Sequence, residues 1–362
     1  MTISAPERVE MRRATLAMLL WAGACGGAIA DPAVPATLPA TALEDFPHQA
    51  ITNGLITAQV YPPGKHELYQ GTRFDHAGVV FHVTYKGQDY STYWFDHFVV
   101  DPRDETKYPR GTEHACCSVS GPVEEFAPVG FDEAGMNGRF LKPGIGIFQR
   151  INDKYDQFPT LPVLNPGTRT FKASKSGARW TQDLKDPQSG YGYHYIKTVQ
   201  LVAGKPEMTI SHVLTNTGKK PIVTTVYSHN FLTLSPGNEH VAITAPFAMT
   251  PEKPFQSDLL QVDGKTIRYL KALPEDVSTE SFIGGYGPTA GDYDFTVTNT
   301  ATGFGQRIRA DQPLAQLNFW SMNLTLGWEP YIAIDLKPGQ TKRWTYTYDF
   351  YGPDDKNGGK KT

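Results

Sequence analysis

Apolar and polar residues alternate with a period of two along much of the chain, which is the pattern of strands with one buried face. The runs 79–85, 208–214 and 293–298 are examples. Beyond residue 50, no stretch combines capping residues with the three- and four-residue apolar spacing of an amphipathic helix. The pattern therefore predicts an all-β chain whose strands follow one another at short intervals.

Turn residues bound the other predicted strands, which are 89–100, 191–201, 222–234, 241–245, 305–309, 315–320, 331–336 and 343–351. Residues 216–221 separate two of these strands, and the spacing predicts an antiparallel hairpin there. Residues 337–340 predict a turn between the last two strands. Because helices do not intervene, the order favours a large antiparallel β-sandwich over a parallel βαβ architecture.

The composition narrows the choice of partner. Charged residues make up 20% of the chain and hydrophobic residues 40%, which is a globular balance rather than a disordered one. The formal net charge is only -3 at pH 7, and no long basic run is present. Because binding to phosphates requires clustered Lys or Arg, we expect no nucleic-acid partner.

The N-terminus has the features of an export signal. Arg12 and Arg13 precede an apolar run, and small residues follow it as far as Ala30. This pattern predicts a signal peptide over residues 1–30 with cleavage near Ala30, and hence a periplasmic or secreted protein. The apolar run is too short for a permanent anchor, so we expect no stable membrane insertion.

The remaining chain divides by composition. Residues 31–50 are rich in Pro and Ala and predict an extended leader, residues 51–352 predict a single β-sandwich domain, and residues 353–362 predict a disordered tail. Signal cleavage would leave only Cys116 and Cys117, and adjacent cysteines rarely form a bridge. A structural zinc needs four ligands, which this pair and the nearby His114 do not provide. We therefore expect neither a disulfide framework nor a metal.

Three segments of the C-terminal half carry a resemblance to a known family. Their sequences are GYGY at 190–193, LTNTGKKPIVTTVYSHNFL at 214–232, and WEPY at 328–331 followed by a Pro-Gly turn. In this order they resemble the aldose 1-epimerases of the galactose mutarotase-like superfamily. The resemblance implies the supersandwich fold of that superfamily, which is a large antiparallel β-sandwich.

The resemblance also implies a chemistry. It implies an isomerase that interconverts sugar anomers, with Glu329 as the catalytic base and His229 as the acid at the ring oxygen. Such a scheme needs a carboxylate whose pKa is raised by burial and an imidazole that a nearby acid keeps charged. It requires no cofactor, and the substrate would be a mono- or oligosaccharide.

The substrate-binding residues are less well marked, because the second histidine of the family has no clean counterpart. That place holds His114 and the pair Glu124-Glu125, and a solvated loop is the preferred structural interpretation of the glutamate pair. We expect His114 and Glu125 to contact the sugar, Arg73 to hold vicinal hydroxyls, and aromatic side chains to provide a stacking surface. The aromatic candidates are Tyr227, Trp328, Trp320 and Trp94.

Two other functions fit the same sequence. A glycoside hydrolase or lyase on this fold would need two carboxylates across the scissile bond, which Glu329 and Glu125 could provide. A glycan-binding protein without activity would keep the groove and lose the chemistry. Only the first of these predicts release of reducing ends from a polysaccharide.

Overall fold

The computed structural model describes residues 46–64, 67–69, 71–92, 120–157, 161–275 and 277–355. These residues form β-strands and two short 3-10 turns, Pro236–Asn238 and Ala290–Asp292, so the predicted all-β class is confirmed. Nowhere in these ranges does a helix reach the length and hydrophobicity needed to cross a membrane. The predicted signal peptide, most of the predicted leader, Trp94, His114 and the cysteine pair lie outside the described residues.

The strands in chain order are β1 (Gln49–Thr52), β2 (Ile56–Tyr61), β3 (Val79–Tyr85), β4 (Gln88–Asp89), β5 (Gly121–Phe126), β6 (Arg139–Lys142), β7 (Gly146–Gln149), β8 (Val163–Asn165), β9 (Thr168–Ala173), β10 (Gly177–Lys185), β11 (Gly192–Leu201), β12 (Glu207–Asn216), β13 (Ile222–Leu232), β14 (Val241–Thr244), β15 (Thr250–Pro251), β16 (Leu260–Asp263), β17 (Thr266–Tyr269), β18 (Thr279–Gly284), β19 (Asp294–Asn299), β20 (Gly305–Ala310), β21 (Gln316–Ser321), β22 (Leu326–Leu336) and β23 (Thr341–Tyr351).

Two large antiparallel sheets form the sandwich. The ten-stranded sheet has the order β16-β17-β14-β19-β20-β23-β12-β11-β10-β9, and the six-stranded sheet has the order β15-β18-β21-β22-β13-β5. Side chains of both sheets meet in one core, where Trp328 of β22 packs against Phe295 of β19 and Phe126 of β5 against Trp344 of β23. The predicted antiparallel sandwich is therefore confirmed. Strands β1–β4 and β6–β8 form two smaller sheets.

The hairpin predicted around residues 216–221 is wrong. β12 pairs with β11 and β23 in the ten-stranded sheet, whereas β13 pairs with β22 and β5 in the six-stranded sheet. The turn therefore carries the chain from one layer to the other. Asn216 holds it there, since its Nδ2 donates to the carbonyl oxygens of Lys220 and Leu336 at 2.8 and 2.9 Å.

Two boundaries also differ from prediction, and both move carboxylates into strands. Glu124 and Glu125, for which a solvated loop was the preferred structural interpretation, lie in β5, and every residue of that strand is buried. Glu329, predicted to precede a strand, lies inside β22. Both carboxylates of the pair Glu124-Glu125 are consequently buried, one on each face of the strand.

Candidate active site

Strand register brings His229 and Glu329 together. Tyr227 of β13 lies opposite Tyr331 of β22, and Asn230 lies opposite Trp328. Counting inward from these pairs places His229 directly across from Glu329, on the same face as Tyr227 and Tyr331. Pro330 has no backbone N–H, so the ladder is interrupted at this point. Two residues a hundred positions apart thus become cross-strand neighbours.

The two side chains form a buried pair. His229 Nε2 lies 3.1 Å from Glu329 Oε1. Only 2% of His229 and 4% of Glu329 are exposed. The imidazole stacks on Phe231 with ring centroids 3.6 Å apart, and the edge of Phe74 closes another side. Low exposure strengthens the interaction between the two groups and disfavours charge on either of them.

Burial sets the protonation of this pair. It raises the pKa of Glu329 to about 7, against the opposing effects of the Arg73 cation and a hydrogen bond from Asn318. Burial, reinforced by the Arg73 cation, holds the pKa of His229 well below its usual value. The raised carboxyl pKa agrees with the expectation from sequence. The expected charged imidazole is wrong for the resting site, because the buried pair favours a neutral imidazole.

Gly327 makes room for the imidazole. It lies two residues before Glu329 in β22, on the same face of the strand. A Cβ at this position would lie 2.3 Å from His229 Cε1 and 3.0 Å from Nδ1. Any other residue would displace the imidazole, so the glycine is part of the site.

Arg73 and Glu125 form a second ion pair beside the first. Arg73 Nε donates to Glu125 Oε2 at 2.8 Å, and its Nη2 donates to the Tyr227 hydroxyl at 3.0 Å. The Tyr227 hydroxyl donates in turn to Glu125 Oε2 at 2.5 Å. Burial acts to raise the pKa of Glu125, but the cations of Lys142 and Arg73 bring it below its usual value. This carboxylate is therefore ionised.

The sequence did not single out three polar residues that complete the cluster. Asn318 Nδ2 donates to Glu329 Oε2 at 3.1 Å and to Glu280 Oε1 at 3.0 Å. Lys142 Nζ donates to Glu125 Oε1 at 3.0 Å. Asn318 is directly opposite Glu329 in β21, so strand pairing would have identified it once the register was known. Lys142 is a buried lysine, and nothing in the sequence around it distinguishes it from a lysine at the surface.

The cluster has a solvent-facing rim and two polar atoms without partners. The side chain of Arg73 is 22% exposed, and Glu280, Trp320 and Tyr331 are half-buried. Among the described residues, His229 Nδ1 and the Oδ1 atom of Asn318 are buried without a hydrogen-bond partner. Buried polar atoms are normally satisfied, so these two atoms retain unused hydrogen-bonding capacity beside the pair. In the same ranges no three His, Cys, Asp or Glu side chains are grouped to hold a metal ion.

The other predicted binding residues have mixed outcomes. Arg73, Glu125 and Tyr227 lie in the cluster, as described above. Trp328 does not, because its side chain is fully buried between the sheets against Phe295 and Phe319. Residues 328 and 329 are adjacent in a strand and face opposite sides, so the expectation that both contact a sugar was wrong. Trp320, not Trp328, lies beside the pair, 5.9 Å from the His229 ring.

Solved structures resemble this architecture. A protein of Escherichia coli K12 that carries the provisional name aldose 1-epimerase superposes with a TM-score of 0.51 at 12% identity, covering 84% of this chain and 99% of that one. A galactose mutarotase-like protein of Lactobacillus casei ATCC 334 superposes with a TM-score of 0.50 at 10% identity, covering 84% of this chain and 100% of that one. The chain has the galactose mutarotase-like fold.

Comparison of whole sequences does not detect this likeness. No family model matches the chain, and no curated protein matches it. The predicted resemblance to the superfamily is thus confirmed at the level of the fold. At such low identity the fold alone is shared, so the activity has to be argued from the side chains of the cluster.

Proposed function

We propose that this protein is an exported aldose 1-epimerase-like isomerase that interconverts the anomers of a sugar. The observation that supports this proposal best is the pair of His229 Nε2 and Glu329 Oε1, 3.1 Å apart, in which the carboxyl group has a pKa of about 7. A group with a pKa near the working pH exchanges protons most effectively. The mature protein would work in the periplasm or outside the cell.

The pair supplies both an acid and a base from one proton. In the neutral pair the proton sits on Glu329. Its transfer across the hydrogen bond to His229 leaves a carboxylate and an imidazolium, with no change in the number of bound protons. The carboxylate then removes the proton of the C1 hydroxyl while the imidazolium protonates the ring oxygen, so the ring opens. Rotation about C1–C2 and the reverse transfers give the other anomer and restore the pair.

The neighbouring cation acts on both members of this pair. Arg73 acts electrostatically on both members of the pair, stabilising the carboxylate and opposing the imidazolium. Glu125 and Tyr227 hold the guanidinium in place, so its charge is fixed before a substrate arrives. Trp320 at the rim offers an aromatic surface on which a pyranose could stack.

Polarimetry of freshly dissolved α-glucose and α-galactose tests the proposal. We expect the wild-type protein to accelerate equilibration and Glu329→Gln to lower that rate by about 10²- to 10⁴-fold, the usual contribution of one acid–base group. The glutamine keeps an oxygen for Asn318, so sugar binding measured by calorimetry should persist. Glu239→Gln removes an exposed carboxylate and serves as the matched control. If the wild-type protein equilibrates neither these nor other aldoses faster than buffer does, the proposal fails.

A glycoside hydrolase is the second candidate, and one observation favours it. The pKa of Glu329 is raised and that of Glu125 is lowered, which is the division between acid and nucleophile that such enzymes use. However, Arg73, Tyr227 and Lys142 already bind both oxygens of Glu125, which leaves it poorly placed to attack. Release of reducing ends from a polysaccharide panel would support the hydrolase. Sugar binding unaffected by Glu329→Gln, without any turnover by the wild-type protein, would support a binding protein.

A further inference from the structure

A second cluster of ionisable groups lies between the two large sheets. It consists of Asp75, Glu124 of β5, Lys197 of β11 and His212 of β12, whose side chains are 0% exposed. Lys197 contacts the Glu124 carboxylate and lies 3.6 Å from Asp75 Oδ2, while His212 Nε2 lies 3.0 Å from Glu124 Oε1. Burying charges is costly even when they are paired, so such a cluster in a packed core calls for an explanation.

The irregular segment 71–78 is fastened to this cluster from the inside. The backbone N–H of Asp75 donates to the carbonyl oxygen of Glu124 at 2.8 Å, and the Tyr195 hydroxyl donates to Asp75 Oδ2 at 2.9 Å. Lys197 Nζ donates to the carbonyl oxygen of Ala77 at 2.8 Å. Arg73 belongs to the same segment but binds on the other side, at Glu125 and Tyr227. The core cluster thus holds the backbone from which Arg73 extends.

β5 repeats this two-sided arrangement. Glu124 points into the core cluster, while its neighbour Glu125 points to the site and binds Arg73. Glycines allow the close fit: a Cβ at Gly78 would lie 2.4 Å from Lys197 Cε, and one at Gly144 would lie 2.6 Å from Asp75 Oδ1. Both partners of the Arg73–Glu125 pair are therefore carried by backbone that the core cluster fixes in position.

We propose that Asp75 and Lys197 are positioning residues, which hold segment 71–78 against β5 so that the Arg73 guanidinium faces the His229–Glu329 pair. The proposal rests on the proposed function for its effect on catalysis. Its structural part, the placement of Arg73, is independent of any activity. Loss of the contacts that Asp75 and Lys197 make would let the Arg73 guanidinium move away from the His229–Glu329 pair. A misplacement of this kind lowers turnover by up to about 10²-fold.

The pKa of His229 reports the position of Arg73 and can be measured by imidazole NMR, assigned by difference against His229→Asn. The groups that face this imidazole are Glu329 from β22, Arg73 and Phe74 from segment 71–78, Tyr227 and Phe231 from its own strand, and Trp320 from β21. Among them the Arg73 cation lowers the pKa of His229. Moving the cation away should therefore raise it.

Asp75→Asn separates positioning from a direct charge effect, because the two have opposite signs. Removing a negative charge from the core would by itself lower the pKa of His229 slightly, whereas displacement of Arg73 raises it. We expect Asp75→Asn to raise the pKa, as Arg73→Met does, and to add no further rise in the Arg73→Met background. Asp186→Asn breaks another ion pair, between the buried Asp186 and the half-buried Arg139 at 2.8 Å, and should lower Tm without moving the pKa of His229.

Tyr195→Phe is the milder variant, since it removes only the hydroxyl that binds Asp75 and keeps the ring. We expect a smaller rise of the His229 pKa. If Asp75→Asn does not fold, Tyr195→Phe serves as the test in its place. A folded variant whose His229 pKa stays constant or falls would overturn the proposal. If the pKa rises but the wild-type protein shows no mutarotation, the positioning role holds and the proposed function fails.

Discussion

Glu124 and Glu125 are adjacent in the chain yet belong to two clusters that differ in their exposure to solvent. The inner cluster of Asp75, Glu124, Lys197 and His212 is fully buried, and both ring nitrogens of His212 lie within 3.3 Å of a protein partner. The outer cluster of Arg73, Glu125, His229 and Glu329 has a comparable set of charges. There, Arg73 is partly exposed, and the half-buried side chains of Trp320 and Tyr331 lie beside the His229–Glu329 pair.

The difference separates a structural use of charge from a chemical one. A cluster that is sealed from solvent, and whose groups contact one another, holds backbone segments together and is out of reach of a ligand. A cluster that reaches solvent through a partly exposed cation can be contacted by a ligand. The same residue types on the two faces of one strand thus have different roles because their surroundings differ.

Removing the Lys197 cation from the inner cluster should produce the largest loss of stability. Lys197→Met leaves the carboxylates of Asp75 and Glu124 in the core without their cation, and breaking a buried ion pair costs about 3–5 kcal/mol. Chemical denaturation measures this change. Lys271→Met removes the exposed partner of Asp258 and should leave the midpoint unchanged. Equal midpoints for the two variants would mean that the inner cluster contributes nothing to stability.

Filling the space beside the imidazole should be the most selective way to damage the outer cluster. In Gly327→Ala the new methyl group displaces His229 from Glu329, and we expect a loss of up to about 10²-fold in mutarotation rate. Gly135→Ala, where nothing lies within 4 Å of the added carbon, is the control. An active Gly327→Ala variant would show that the imidazole need not stay in contact with the carboxyl group.

Deleting one tyrosine hydroxyl on each face of β13 should give the smallest effects on stability and the sharpest contrast in kinetics. Tyr227→Phe removes the group that bridges Arg73 and Glu125, and Tyr348→Phe removes one that binds Ser228 and Asn230 in the core. Each should cost about 0.5–1.5 kcal/mol in free energy of unfolding. Only Tyr227→Phe should change the kinetics. Similar kinetic losses in both would contradict the division between the faces.

The sequence predicted the bounds of several strands closely. β3 begins and ends at the predicted residues, and β19, β20, β21 and β23 differ from prediction by a residue or two. In β19 and β23 the period of two is clear, because the polar side of each strand is less buried than the apolar side. β3 has buried residues on both faces, but its β-branched and aromatic residues indicated a strand. β5 was missed because two adjacent glutamates interrupt its apolar pattern.

Pairing between strands could not be predicted from local sequence. The turn at 216–221 has the residues of a hairpin, but whether the next strand stays in the sheet depends on distant partners such as β22 and β23. For the same reason the resemblance identified His229 and Glu329 but neither Asn318, which reaches the site through the pairing of β21 with β22, nor Lys142, which reaches it from the separate β6-β7-β8 sheet. Trp328, predicted as a stacking surface, faces the core instead, since the order of residues in a motif does not record the direction of their side chains.

The pH dependence of anomer exchange tests the central claim most directly, that one proton shared by His229 and Glu329 does the chemistry. The pair keeps this proton below the Glu329 pKa of about 7 and loses it as the pH rises past that value. The pKa of His229 lies well below its usual value, so a second proton binds only in more acidic solution. We therefore predict that the protein accelerates exchange at about pH 6 and that the acceleration declines by about pH 8. Acceleration that increases through this range, or that is absent throughout, would contradict the account.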